Sequence, residues 1–144
     1  MARLIIDGMN VVGSRPTGWW RNRARAAQQF LSRLEVLAKV SKDDLTVVFD
    51  GYPQRGGPIE ATNGVPVRVL YANRRGPDAA DERITELVAE DAEPSSLTVV
   101  TSDRELRREV ERLGARVVGA STLLQRLDEV TLDNKQRKNP HRQK

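Results

Sequence analysis

The chain predicts an α/β fold: a three-layer, open parallel sheet of about five strands. Two observations carry this. Short apolar runs alternate with helical patterns along the sequence, the arrangement that wraps helices around a parallel sheet through right-handed crossovers. At 144 residues the chain can also build one real core without covalent staples, and has no room for a second domain. A third observation bears on function. Leu97-Thr98-Val99-Val100-Thr101-Ser102-Asp103 runs from an uncharged strand into a polar turn ending in a carboxylate, and Ile5-Ile6-Asp7-Gly8 and Val47-Val48-Phe49-Asp50-Gly51 are again apolar runs that stop at an aspartate. In a parallel sheet these carboxyl ends share one edge, and open parallel sheets bind ligands outside that edge.

Arg3 to Asp7 is the first strand, and Asp7-Gly8 signals a turn. Asn10, three residues on, can face the same pocket as Asp7 or serve as a local cap. Gly, Pro, Thr and two tryptophans then break the pattern from Ser14 to Trp20. Arg21, Arg23 and Arg25 lead into a helix over Ala26 to Val40, with Phe30, Leu31, Leu34, Leu37 and Ala38 at helical spacing. From Gly8 through Leu34 the chain contains Arg15, Arg21, Arg23, Arg25 and Arg33 and no acid. Arginine beside exposed aromatic rings is the composition of a single-stranded nucleic-acid surface. Against that, tryptophan is mostly buried, so at least one of Trp19 and Trp20 is expected to be a packing residue.

Ser41 to Asp44 is a polar turn, Leu45 to Phe49 the second strand, and Tyr52 to Gly64 a Gly- and Pro-rich loop. Val65, Val67 and Val69, followed by Leu70-Tyr71-Ala72, make a third strand, which Pro66 places near a sheet edge. After Asn73-Arg74-Arg75-Gly76-Pro77, a helix runs from Asp78 to Glu90 with Ala80, Ile84, Leu87 and Val88 on its apolar face. Asp78 and Asp81 share one face of its first turn. Acids are common at helix starts, but both together with Glu82, behind two arginines, are less ordinary. Glu93-Pro94-Ser95-Ser96 turns into the fourth strand. Ser102 and Glu105 have capping-box spacing, and a helix follows to about Leu113, stopped by Gly114. Ala115 to Val118 is a fifth strand, and Ser121 caps a last helix through Leu123, Leu124 and Leu127. The domain is expected over residues 1–130, and residues 131–144 are expected to be a basic, disordered tail.

The residue inventory excludes several chemistries. There is no cysteine, so disulfides, thiolate zinc sites and cysteine nucleophiles are absent, in keeping with a reducing cytoplasm. The single histidine, His141, lies in the tail, so a catalytic triad or a multi-histidine metal site is excluded and Asp and Glu must do any acid-base or metal chemistry. No segment reads as a signal peptide or a membrane span, and no membrane partner is expected. The net charge of +4 is asymmetric. Lys135, Arg137, Lys138, Arg142 and Lys144 follow Asp133 without an acid, leaving 19 basic against 20 acidic residues elsewhere. Such a tail binds polyanions or simply solubilises the chain. Four or five carboxylates crowded at one edge repel unless a cation sits among them, which asks for a hard divalent ion, Mg²⁺ or Mn²⁺.

The strand-end signature Ile6-Asp7-Gly8-Met9-Asn10, Val48-Phe49-Asp50-Gly51, Ala79-Ala80-Asp81 and Val100-Thr101-Ser102-Asp103-Arg104 resembles the NYN domain family. That family is a branch of the PIN-like nucleases, and the likeness is to its YacP-like group of bacterial ribosome-associated endoribonucleases. The resemblance covers about residues 3–130. It implies metal-dependent cleavage of RNA on a PIN-like sheet, with RNA, and mRNA on the ribosome, as partner. Asp7, Asp81 and Asp103 match the acidic metal positions, Asn10 the polar residue after the first acid, and Asp50 and Asp78 less constant acidic positions. Thr101 and Ser102, with Asn10, would support the ligands from behind. Arg15, Trp19, Trp20, Arg21, Arg23, Arg25, Arg74, Arg75, Arg104, Lys135, Arg137 and Lys138 would hold RNA. Met9 departs from the aromatic residue common in the D-G-x-N motif, and the basic tail has no counterpart in the usual domain. A receiver-like phosphate-accepting domain also has strand-end aspartates, but it wants paired acids after the first strand and a lysine after the last, whereas here Asp7 has no acidic neighbour and no lysine lies near Val118. A non-catalytic RNA-binding or ribosome-associated adaptor with a relic acidic cleft is the competing reading.

Overall fold

In a computed structural model, which describes residues 2–50, 67–72 and 78–138, a parallel sheet is wrapped on both faces by helices. The elements are β1 (Arg3–Asp7), α1 (Gly8–Val12), a 3-10 turn (Trp19–Arg21), α2 (Arg23–Ser41), β2 (Asp44–Phe49), β3 (Val67–Tyr71), α3 (Ala79–Glu90), a second 3-10 turn (Pro94–Ser96), β4 (Leu97–Val100), α4 (Arg104–Arg112), β5 (Arg116–Val118) and α5 (Ala120–Lys138). All four strand pairings are parallel, and the order is β3-β2-β1-β4-β5. The three-layer α/β expectation holds, and β3 lies at the edge that Pro66 suggested.

Period-two alternation splits the strands between two cores. Leu4, Ile6, Leu45, Val47 and Phe49 join Phe30, Leu31, Leu34 and Leu37 of α2 and Leu123 and Leu127 of α5. Ile5, Val48, Leu97 and Val99 join Ile84 and Val88 of α3 and Leu106 and Val110 of α4. The same alternation carries Asp7, two residues after Ile5, to the α3–α4 side of the sheet.

Several local expectations change in the folded chain. Gly8 does not form a turn; α1 starts there, directly at the strand end. The site is tight: a Cβ on Gly8 would come within 2.7 Å of the Phe49 ring, so only glycine lets the first residue of α1 lie this close to β2. Asp103, not Ser102, caps α4, accepting from the Glu105 and Leu106 amides at 2.9 and 3.2 Å. Ser121 lies inside α5, one residue past its start at Ala120. The expected tail is also partly helix, because α5 continues to Lys138. Val130 still packs on the core and Thr131 Oγ1 bonds back to the Leu127 carbonyl, and no Gly or Pro interrupts the chain before Pro140. The helix is held by Asp128, which accepts from Arg15 at 2.8 Å and Arg33 at 2.6 Å. The loop expected over Tyr52 to Gly64 lies outside the described residues.

Candidate active site

Strand order decides where chemistry can happen. The chain leaves β1 for β2 on one side and returns to β4 on the other, so the crevice between the carboxyl ends of β1 and β4 is a topological switch point. The register aligns Ile6 with Val100 and Asp7 with Val48, which makes the ends flush. Asp7 and Thr101 are therefore neighbours, and Thr101 Oγ1 donates to Asp7 Oδ2 at 2.9 Å.

Thr101 is fully buried and ties three things together. Its amide donates to the Val118 carbonyl at 3.0 Å, and its hydroxyl oxygen accepts from the Asp103 amide at 3.1 Å. It therefore fixes both the Asp7 carboxylate and the turn that presents Asp103. The next residue, Ser102, accepts on Oγ from the Ala120 amide at 3.0 Å, so it satisfies an orphan donor at the start of α5 rather than capping its own helix. The Ser102 amide donates to Asn10 Oδ1 at 2.9 Å. Asn10 thus ties α1 to the β4–α4 turn, and its oxygen is occupied in doing so.

The carboxylates answer to one another. Asp7 is only 5% exposed. Burial pushes its pKa up from 3.8 to about 7; the Thr101 hydrogen bond opposes this, while the charges of Asp81, Asp103 and Asp50 add to it. Asp81, on the first turn of α3, is raised to about 6, first by burial, then by the charges of Asp103 and Asp78, a carboxyl hydrogen bond with Asp103, and Glu105. Glu105 read in the sequence as the capping-box partner of Ser102 rather than as a neighbour of Asp81, although an acid in the first turn of a helix opening at the sheet edge was a signal for it. Asp78 holds the last position before α3 in a left-handed conformation, φ 62°, makes no side-chain cap, and is exposed. Asp50 meets Arg23 at 3.4 Å.

The structure thus brings Asp7, Asp50, Asp78, Asp81 and Asp103 into one electrostatic neighbourhood, with Asn10, Thr101 and Ser102 bracing it. Among the described residues no three acidic side chains already form a metal-holding group. The donor set nonetheless fits a hard divalent cation: it is all oxygen, and two of its carboxyls are raised by burial and mutual repulsion, a strain that a cation relieves. Of the expected RNA contacts, Arg15 is instead committed to Asp128. Trp20 is exposed and Trp19 half-buried, while Arg21, Arg25 and Arg104 are exposed. Arg74 and Arg75 lie outside the described residues; Lys135, Arg137 and Lys138 lie on the last turns of α5. No helix among the described residues is long and apolar enough to cross a membrane.

Comparison with known proteins agrees with this architecture. The family described as YacP-like NYN domain matches residues 4–144, which takes in the basic C-terminal segment that the sequence resemblance left out. A crystal structure of Rae1 (YacP) from Bacillus subtilis is similar with a TM-score of 0.75 at 21% identity, covering 97% of this chain and 81% of that one. A single-substitution mutant of the same protein gives 0.73 at 23% identity, covering 95% and 81%. No curated protein matches the chain.

Proposed function

The chain belongs to the YacP-like NYN domain family, and from that premise we propose that it is a metal-dependent endoribonuclease that hydrolyses RNA phosphodiester bonds at the β1–β4 edge. The observation that carries the reading is Asp7: a carboxyl almost wholly removed from water, raised to about 7, with Asp81, Asp103 and Asp50 acting on it. Packing alone does not require an acid there, and a buried acid is costly unless it serves a charge.

Asp7, Asp81 and Asp103 would hold one or two Mg²⁺ or Mn²⁺ ions, with Asp50 and Asp78 at the rim. Such an ion, when bound, supplies Lewis-acid polarisation of the phosphoryl oxygens, a water acidic enough to attack in line, and charge to steady the leaving oxygen. The chain's own residues do the rest. Thr101 keeps Asp7 in one orientation through its 2.9 Å hydrogen bond, so the ligand does not have to be ordered at the moment of binding. Asp103 is held by its own cap contacts to α4, which point one carboxylate oxygen at the helix amides. Asp81, raised to about 6 by burial and by the charges of Asp103 and Asp78, would be held ionised by a divalent ion beside it, so that the ion offsets the repulsion within the cluster.

The test is cleavage of a labelled single-stranded RNA by purified protein with added Mn²⁺, its loss with EDTA, and its loss in Asp81→Asn. Internal cleavage that needs Mn²⁺ supports the reading. RNA binding with no cleavage under any divalent ion would refute it and leave an adaptor with a relic cleft.

A further inference from the structure

The 3-10 turn Trp19–Arg21 joins α1 to α2 and displays two indoles in different ways. Trp19 is half-buried against Gly13, just past α1, where an added Cβ would come within 3.1 Å of Trp19 Cζ2; the bare glycine lets the ring seat there. Trp20 stands edge-on to Trp19, centroids 6.2 Å apart at 88°, and is 58% exposed. One ring is an anchor and the other is held out. The Arg23 guanidinium lies 5.8 Å from the Trp19 centroid and that of Arg21 lies 6.0 Å from the Trp20 centroid. An indole left this far in water, with cations beside it, forgoes the burial that tryptophan normally finds.

Charge selects the occupant. No acid lies between Gly8 and Leu34. On the other side, the open groove between α3 and α4, about 570 Å³, shares Asp78, Asp81 and Glu105 with the site and continues past it along Glu82, Glu86 and Glu109. A polyanion is attracted on the first flank and repelled on the second. The aromatic flank is also linked to the carboxylate edge, because Arg23 reaches Asp50 and α1 begins at the residue after Asp7.

We propose that Trp20, carried on Trp19 and flanked by Arg21 and Arg25, is a stacking subsite for one unpaired base of an RNA strand that approaches the carboxylate edge from the α1–α2 side only. This rests on the RNA reading above. The indole face takes any base, and the guanidinium groups take the adjoining phosphates. A base in a duplex has no free face to offer, so the subsite discriminates against paired RNA.

Binding of a short fluorescein-labelled single-stranded oligoribonucleotide to the full chain, measured in EDTA so that no cleavage intervenes, tests this. Trp20→Ala should weaken binding about 5- to 150-fold, the range for loss of one base–aromatic stack. Trp20→Leu, apolar but without a π face, should behave like Trp20→Ala, and Trp20→Phe should recover much of the affinity. Intrinsic tryptophan fluorescence should be quenched on binding in the wild type and much less in Trp20→Phe. Arg21→Ala/Arg25→Ala should weaken binding more than Arg107→Ala/Arg108→Ala, which removes the same charge from α4. Wild-type affinity in both Trp20→Ala and Trp20→Leu, or equal losses from the two arginine pairs, would overturn the subsite. So would a wild type that binds no RNA even at low salt, which would leave Trp20 to a protein partner. If the Trp20 effects appear but Mn²⁺ produces no cleavage, the nuclease reading alone fails; if RNA is cleaved but Trp20 is inert, the subsite alone fails.

Discussion

Asp7→Asn separates the electrostatic cost of the site from its packing. The Asp7 carboxyl has a pKa of about 7 in the folded chain against an ordinary 3.8. Between those values the unfolded chain has released a proton that the folded chain keeps, so stability falls as pH rises from about 4 and the whole penalty is present above about 7. At about 1.36 kcal/mol for each tenfold change in proton affinity, that penalty is roughly 4 kcal/mol. Asparagine removes the charge and can still accept the Thr101 hydroxyl, but it buries an amide group whose missing partner costs about 1–3 kcal/mol. At pH 8 the metal-free variant should therefore be more stable than wild type by about 1–3 kcal/mol, a rise of roughly 3–10 °C in Tm for a domain of this size. At pH 4 the wild-type carboxyl is protonated in the folded state and the order reverses. The two curves of Tm against pH, from circular dichroism in EDTA, should cross between about pH 4.5 and 6, where the charge penalty equals the amide cost. Adding Mn²⁺ at pH 8 should raise the wild-type Tm and raise the variant's far less. Parallel curves, or a variant less stable at every pH, would mean that Asp7 carries no charge penalty and that the reasoning about the site is wrong.

Asp103 both caps α4 and faces the site, so its two roles can be divided. Asp103→Asn should lose cleavage while keeping the cap, whereas Asp103→Ala should lose cleavage and about 1 kcal/mol of stability in urea unfolding. On the acid side, Arg3 holds Asp91 at about 2, and Arg15 with Arg33 holds Asp128 at about 2. These depressed carboxyls contribute stability above about pH 4 that is lost as pH falls towards 2. Asp91→Asn and Asp128→Asn should each flatten the acid limb of the Tm profile, opposite in sign to Asp7→Asn. Deleting Asn134 to Lys144 removes five basic residues and should reduce the slope of log K for RNA against log salt by at most about 3.5. Cleavage of a short RNA at saturating concentration should persist in that truncated chain, and an unchanged salt slope would make the segment a bystander.

The strands, their parallel class and the acids at their ends were legible in the sequence because they depend on local period: an apolar run that stops at a carboxylate is written in consecutive residues. β1, β2, β4 and the positions of Asp7, Asp50 and Asp103 follow from that alone, and the edge place of β3 from one proline. What tertiary structure decided is which ends meet. The order β3-β2-β1-β4-β5 puts Asp7 at the switch point and makes Thr101 its partner across 94 positions of chain, and nothing local marks a threonine for that. Ser102 looked like a cap for its own helix, but its hydroxyl serves Ala120, and Asn10 serves Ser102, because folding brings those amides closer than the local ones. Arg15 read as a phosphate contact until α5 brought Asp128 to it. The same holds for the tryptophans: composition predicted that one would pack, and the missing side chain of Gly13 chose Trp19. Local pattern sets which residues are available, while burial and charge pairing, which depend on neighbours distant in sequence, set what each of them does.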